Sequence, residues 1–275
     1  MKLRQDDQDR REILDWIAPP DHGSYQSHFF ERQQPGTCQW FLDSEAYQAW
    51  LQTKQQTLFC PGIPGAGKTI LTSVLVNDLH RRYRDDASVG IAYIYCNFQW
   101  QEKQKINDLL ASLVRQLAEH SSSLPGDVKD LYRRHKAGKT RPSSEEFSSS
   151  LHAAATTYSR LFIVIDALDE CQRSDGCRAR FLSELFDIQQ RHGANILATS
   201  RFIQDIEKEF EGRSVRVEIR ARDDDVRMYL DGHMHKLLSF VLSSPDLQRI
   251  IKTTIAGAIN GMYVEQPSIH PLQLT

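Results

Sequence analysis

Two short stretches and one arginine carry the residue types needed to handle a polyphosphate. The first stretch is Cys60 to Thr69, C-P-G-I-P-G-A-G-K-T, where Gly62, Gly67, Lys68 and Thr69 meet every specified position of the phosphate-loop pattern G-x-x-x-x-G-K-[ST]. Glycines lack a Cβ, so the backbone can curl there with its N–H groups turned inward onto phosphate oxygens. Lys68 is expected to reach the β- and γ-phosphates and Thr69 to hold Mg²⁺. The expected nucleotide contacts are Gly62, Ile63, Pro64, Gly65, Ala66, Gly67, Lys68, Thr69 and Ile70. The second stretch is Asp166-Ala167-Leu168-Asp169-Glu170. Asp166 is the candidate for Mg²⁺, acting through water, and Asp169 or Glu170 for polarising an attacking water. Taken alone, such acids also fit a helix cap after a buried strand; beside a phosphate loop the magnesium reading is favoured, because the two motifs need one another. Arg201 reads either as a sensor of the γ-phosphate or as the partner of a surface carboxylate.

These residues need a sheet to position them. The apolar run Leu58-Phe59-Cys60 leads into the loop and a helical segment, Ile70 to Tyr83, leaves it, placing a helix N-terminus with its partial positive charge beneath the phosphates. Val89 to Phe98 is rich in β-branched and aromatic residues and reads as a strand. Leu161 to Ile165 is continuously apolar, as a parallel strand covered on both faces should be, and it delivers Asp166 to the sheet's C-terminal edge. Asn195 to Arg201 and Val215 to Ile219 complete five strands. With helices at Ile106 to His120, Leu151 to Tyr158 and Phe181 to Arg191 between them, the expectation is an α/β fold, a three-layer αβα P-loop architecture with a mostly parallel five-stranded sheet. Leu124 to Ser150 reads as short helices in a variable connection.

Upstream, Gln8 to Ile17 reads as a helix that docks through Ile13, Leu14, Trp16 and Ile17 and is stopped by Pro19-Pro20. Residues 21–37 read as a polar connector, with His22 and His28 as surface histidines rather than metal ligands. Trp40 to Leu51 has helical spacing with Asp43 or Ser44 as cap; packing on the sheet edge and lying against an adenine both fit. Downstream, Asp223 to Leu238 and Pro245 to Ile259 read as two helices capped by Asp223 and Ser244.

The chain has 275 residues, 40% of them hydrophobic and 25% charged, with a formal net charge of −2. A near-neutral chain has no global field to attract nucleic acid, and the basic clusters Arg81 to Arg84 and Arg133 to Lys136 read as solvated helix faces. Five scattered cysteines do not make a disulfide framework, and Cys171 and Cys177 have poor zinc spacing. With no signal-peptide core and no long apolar run, a cytoplasmic location off the membrane is expected.

Together, G-I-P-G-A-G-K-T, L-F-I-V-I-D-A-L-D-E-C and I-L-A-T-S-R resemble the NACHT class of STAND nucleotide-binding proteins, and most nearly the nephrocystin-3-like N-terminal domain of fungal NOD-like receptors and heterokaryon-incompatibility proteins. The approach segments I-L-D-W-I-A-P, P-G-T-C-Q-W-F-L and Y-Q-A-W-L share the resemblance, which covers about residues 10–264. It implies an ATP/ADP-dependent switch with self-association through the NACHT domain, in which Gly62 to Thr69 bind phosphates, Asp166 binds Mg²⁺, Asp169 and Glu170 take part in slow hydrolysis and Arg201 is the sensor. The implied division is an N-terminal helix and linker (1–35), a NACHT-type P-loop domain (36–220), a partial helical subdomain (221–264) and a polar tail (265–275). Cys38 stands where relatives often have glycine. No winged-helix region, repeat array or effector domain follows Tyr263, so a truncated form or fragment is expected. Two other readings remain beside the switch: a fast-turnover P-loop ATPase or kinase, for which no acceptor pocket or arginine-rich lid is evident, and a non-hydrolysing scaffold stabilised by nucleotide. The absence of N-K-x-D disfavours GTP.

Overall fold

A computed structural model describes residues 2–261 apart from 19–20, 100–103, 122, 173 and 238. Five parallel strands, β1 (Thr57–Pro61), β2 (Val89–Tyr95), β3 (Arg160–Asp166), β4 (Asn195–Ser200) and β5 (Val215–Arg216), lie in the order β2-β3-β4-β1-β5. Strand β4 thus separates the strand that ends in the phosphate loop from the strand that ends in Asp166. Helices α1 (Lys2–Ile17), α2 (Asp21–Glu31), α3 (Gln39–Leu42) and α4 (Glu45–Gln52) precede β1, and α5 (Lys68–Arg82) follows the loop. Between β2 and β3 run α6 (Ile106–His120), α7 (Gly126–Gly138) and α8 (Ser144–Ala155); α9 (Cys177–His192) and α10 (Gln204–Phe210) flank β4. The chain forms two compact units, Met1–Gln33 with Gln39–Arg220, and Gln34–Cys38 with the segment from Ala221 onward.

The first unit is a three-layer αβα sandwich, and the alternation of strand side chains explains its two faces. Ile163 and Ile165 of β3 join the cluster containing Leu109, Leu113, Leu117, Phe181 and Leu185 from α6 and α9. On the opposite face Phe162 packs on Trp50 of α4, with ring centroids 5.0 Å apart, and stacks on Tyr83 just after α5 at 5.4 Å. Helix α1 belongs to this unit. It buries Ile13, Leu14 and Ile17 and sets Trp16 edge-on to Tyr132, while the Arg10 guanidinium donates to the Ala118, Glu119 and Ser121 carbonyls that α6 leaves unpaired at its C-terminus.

Several boundaries depart from the sequence reading. The expected connector at 21–37 contains α2, whose His22 is buried rather than on the surface, its Nδ1 accepting from the Tyr95 N–H at 3.2 Å. Helix α8 begins at Ser144 because Ser143 and Glu146 form a reciprocal capping box. Ser44 is the cap of α4, its side chain accepting from the Tyr47 N–H. Strand β5 is shorter than expected, although the Val217 and Ile219 N–H groups continue the ladder to Phe59 and Pro61 at 2.9 and 2.7 Å. Helix α10 had no sequence signal strong enough to name it; it is held by Phe210 stacking on Phe59 at 4.5 Å.

Among the described residues the outer edge of β2 carries no further strand, and side chains occupy the backbone groups of Tyr93 and Tyr95. Gln116 of α6 takes the Tyr93 N–H at 2.9 Å and returns a bond to the Tyr93 carbonyl at 2.8 Å. His22 takes the Tyr95 N–H, and the Gln104 side chain donates to the Tyr95 carbonyl at 2.8 Å while accepting from the Asn97 N–H at 2.9 Å.

In the second unit α11 (Asp223–His233) ends earlier than expected, in a 3₁₀ turn at Met234–Lys236 followed by α12 (Ser239–Leu242) and α13 (Pro245–Gly261). Arg222 rather than Asp223 occupies the cap position of α11, leaving Asp223 in its first turn, whereas Ser244 accepts from the Leu247 N–H as a cap should. The Cys38 N–H donates to both oxygens of Asp225 at 3.2 Å. The polar tail, 265–275, and Met262 to Val264 lie outside the described residues. No described helix is long and apolar enough to cross a membrane.

Candidate functional site

Strand β1 ends at Pro61 beside Ser200 of β4, and the Gly62 N–H donates to the Ser200 carbonyl at 3.0 Å, so the loop leaves the sheet from its C-terminal edge. Its glycines serve two purposes. Gly65 and Gly67 have φ of +80° and +88°, left-handed conformations in which a side chain is strained. Gly62 is needed for space: a Cβ there would lie 2.4 Å from the Ile219 carbonyl oxygen.

Gly67 caps α5 and Lys68 is its first residue. The Lys68 ammonium donates to the Gly62 and Ile63 carbonyls at 2.7 and 2.8 Å. It is half-buried and forms no ion pair with the described carboxylates. Burial lowers its pKa, with Arg201 adding to that effect and Asp169, Asp166 and Glu170 opposing it. A cation whose partners are two neutral carbonyls, at the mouth of a helix N-terminus, is suited to an incoming anion.

Asp166, at the end of β3, is 2% exposed. Its Oδ2 accepts from the Thr69 hydroxyl at 2.7 Å, and its Oδ1 from the Thr72 and Thr199 hydroxyls at 3.0 and 2.7 Å. Burial raises the Asp166 pKa, while the three hydroxyls and Lys68 work against that rise by favouring the carboxylate. Oxygen donors of this type fit Mg²⁺, which keeps waters and shares its shell with phosphate oxygens rather than taking an all-protein cage. Among the described residues no group of three or more His, Cys, Asp or Glu is arranged to hold a metal.

Ala167 is left-handed, φ 53°, and opens the 3₁₀ turn Leu168–Glu170 that presents the remaining acids. Asp169 and Glu170 meet Arg201 there. Arg201 Nε lies 2.8 Å from Asp169 Oδ2, the Arg201 backbone N–H donates to Asp169 Oδ1 at 2.9 Å, and an Arg201 terminal nitrogen lies 3.4 Å from Glu170 Oε1. The second Glu170 oxygen accepts from the Phe98 N–H at 3.2 Å. The structure therefore gathers Lys68, Thr69, Asp166, Asp169, Glu170 and Arg201 at one edge of the sheet, with Arg201 paired to a carboxylate that is almost fully buried rather than on the surface.

Thr72 and Thr199, which both donate to Asp166, join this cluster and were missed by sequence reasoning. The signals were present: Thr72 lies one helical turn beyond Thr69, and Thr199 is a polar residue at the end of an otherwise apolar strand.

Similar architecture occurs in the ORC1 protein of Aeropyrum pernix in complex with DNA, at 14% identity and a TM-score of 0.49, covering 78% of this chain and 52% of that one. It occurs also in the Walker-type ATPase of Pyrococcus abyssi, at 14% identity and a TM-score of 0.46, covering 78% and 60%. Domain III of the Thermotoga maritima replication initiation protein DnaA matches at 16% identity and a TM-score of 0.43, covering 86% and 91%. The chain spans about half the length of the first solved structures it matches. A comparison with curated proteins gave no match. Residues 36–201, more than half of the chain, match the family described as Nephrocystin 3, N-terminal, and the chain belongs to that family.

Proposed function

We propose that this chain is an ATP/ADP-binding switch module of the STAND type, of the NACHT kind found in fungal NOD-like receptors, acting in the cytoplasm and self-associating through the same domain. In this reading Gly62 to Ile70 cradle the phosphates and Lys68 neutralises them. Thr69 and Asp166 would hold Mg²⁺, which would supply neutralisation of the phosphate charge. Asp169 or Glu170 orients water for slow hydrolysis, and Arg201 responds to the γ-phosphate by exchanging its acid partners for it. The observation that carries the proposal is Lys68: a half-buried ammonium at a helix N-terminus, bonded to two carbonyls of its own loop. The direct experiment is the nucleotide content of freshly purified protein. Copurifying ADP at near-stoichiometric amounts supports the switch, and an absence of nucleotide together with no ATP- or ADP-induced thermal shift refutes it.

A second reading, a scaffold that binds nucleotide without turnover, is favoured by the engagement of Asp169 and Glu170 with Arg201 and the Phe98 N–H. Single-turnover and steady-state hydrolysis separate them: one slow cycle indicates the switch, no hydrolysis the scaffold, and fast multiple turnover an ordinary ATPase.

A further inference from the structure

We infer that Thr72 and Thr199 are positioning residues for the cation, fixing which oxygen of Asp166 serves Mg²⁺; the inference rests on the nucleotide-binding reading above. A carboxylate offers about four lone-pair directions, two on each oxygen. On Asp166, Oδ1 takes two hydroxyl donors, Thr72 at 3.0 Å and Thr199 at 2.7 Å, whereas Oδ2 takes one, Thr69 at 2.7 Å. Oδ1 is thereby saturated, and Oδ2, beside the phosphate-loop threonine, is the oxygen with capacity left for a metal-bound water.

The direction of the Thr199 bond is fixed by a second contact. Its Oγ1 accepts from the Ala167 N–H at 2.9 Å, so its own single proton is aimed at Asp166 Oδ1. Thr72 and Thr199 are both 0% exposed and Asp166 is 2% exposed, so water does not compete for these bonds. Turning the carboxylate out of its present plane would break three hydroxyl bonds at once. Thr199 has a further role, since the residue it holds, Ala167, is the left-handed turn that starts the Leu168–Glu170 segment. One hydroxyl on β4 therefore orients both the metal carboxylate and the turn bearing the other acids, while Thr72 acts on the carboxylate alone.

The test is the affinity of a fluorescent ADP for the full chain, measured in EDTA and in millimolar Mg²⁺, with Thr72→Val, Thr199→Val and the hydroxyl-retaining Thr199→Ser. Valine keeps the shape and removes the hydroxyl. The Mg²⁺ enhancement of affinity is expected to fall about tenfold in Thr72→Val and Thr199→Val, a change of about 1.4 kcal/mol, with affinity in EDTA held within about twofold. Thr199→Ser should restore the enhancement. Thr199→Val also strips the Ala167 N–H of its acceptor, so Thr72→Val decides the matter if that variant does not fold. Enhancement unchanged in Thr72→Val, or affinity falling equally in EDTA and Mg²⁺, overturns the inference while leaving nucleotide binding intact. A wild-type chain that binds no nucleotide under either condition overturns both.

Discussion

Arg201 grips Asp169 twice, through its side-chain Nε at 2.8 Å and through its own backbone N–H at 2.9 Å. The carboxylate lies largely out of water and the guanidinium reaches it from the solvent side. Removing the guanidinium leaves a buried charge with one backbone donor. Arg201→Ala is expected to cost about 1–3 kcal/mol in the nucleotide-free protein, nearer the lower figure because Arg201 is half-exposed and screened. Urea unfolding at low salt reads this; an unchanged midpoint would show that the pair contributes nothing.

Lys68 supplies the next test. At 100 times its dissociation constant a nucleotide should add ~2.7 kcal/mol of stability. Lys68→Ala is expected to abolish that gain while leaving the nucleotide-free melting temperature close to wild type, because only two loop carbonyls lose a donor. A thermal shift preserved in the variant would contradict the site. Asp166→Asn should weaken the Mg²⁺ dependence more than binding in EDTA, and equal losses would assign the carboxylate a structural role.

Two glycines of one loop should respond differently to alanine. In Gly62→Ala the new Cβ meets backbone at 2.4 Å, and backbone cannot swing aside as a side chain can. A loss of about 3 kcal/mol is expected. Gly65→Ala meets nothing within 4 Å and pays only for its φ of +80°, about 1–2 kcal/mol. Chemical denaturation of the two variants side by side checks the order, and a milder Gly62→Ala would show that Ile219 can retreat.

Stability should fall on mild acidification. Burial depresses the His22 pKa from 6.5 to about 4, and His80, half-buried beside His120, is lowered to about 4 by partial burial and by that neighbour. Between these values the unfolded chain binds protons that the folded chain refuses, so folding free energy is complete above about pH 6.5 and is lost as pH falls towards 4. The His22 share is on the order of 3 kcal/mol over the whole interval, of which roughly 2 kcal/mol is lost by pH 5. Unfolding midpoints at pH 7 and pH 5 measure it, and His22→Gln should flatten the slope; an identical slope would place the titration elsewhere.

All five cysteines are free and buried. Burial, with the Asp225 carboxylate adding to it, pushes the Cys38 thiol up to about 12, and burial alone raises Cys60. Native protein should therefore react with little or no thiol reagent at pH 8, and denatured protein with five equivalents per chain. Rapid labelling of a native cysteine would show that its surroundings open.

How much of this was legible in the sequence depended on how local the cause was. Strand β3 and helix α6 were readable because five successive apolar residues and a clean helical stripe are complete signals in themselves. The glycine-rich loop was readable as a motif, yet the reason for Gly62 was not, because it lies in the Ile219 carbonyl of a distant segment. Helix α2 was hidden because polar side chains tie it to the fold by hydrogen bonds, such as the Gln26 side chain to the Ser73 carbonyl at 2.8 Å, rather than through apolar periodicity. Cys38, noted as a departure from glycine, has φ 66°, a conformation that glycine adopts without strain. Thr72 and Thr199 were ordinary residues until the fold brought both onto one carboxylate.

The covered end of β2, at Tyr93 and Tyr95, bears on how this chain can assemble. Gln116, His22 and Gln104 come from three separate segments and must all be evicted before a foreign backbone can register against Tyr93 and Tyr95. Edge-to-edge pairing over those two residues is therefore disfavoured until these contacts are given up.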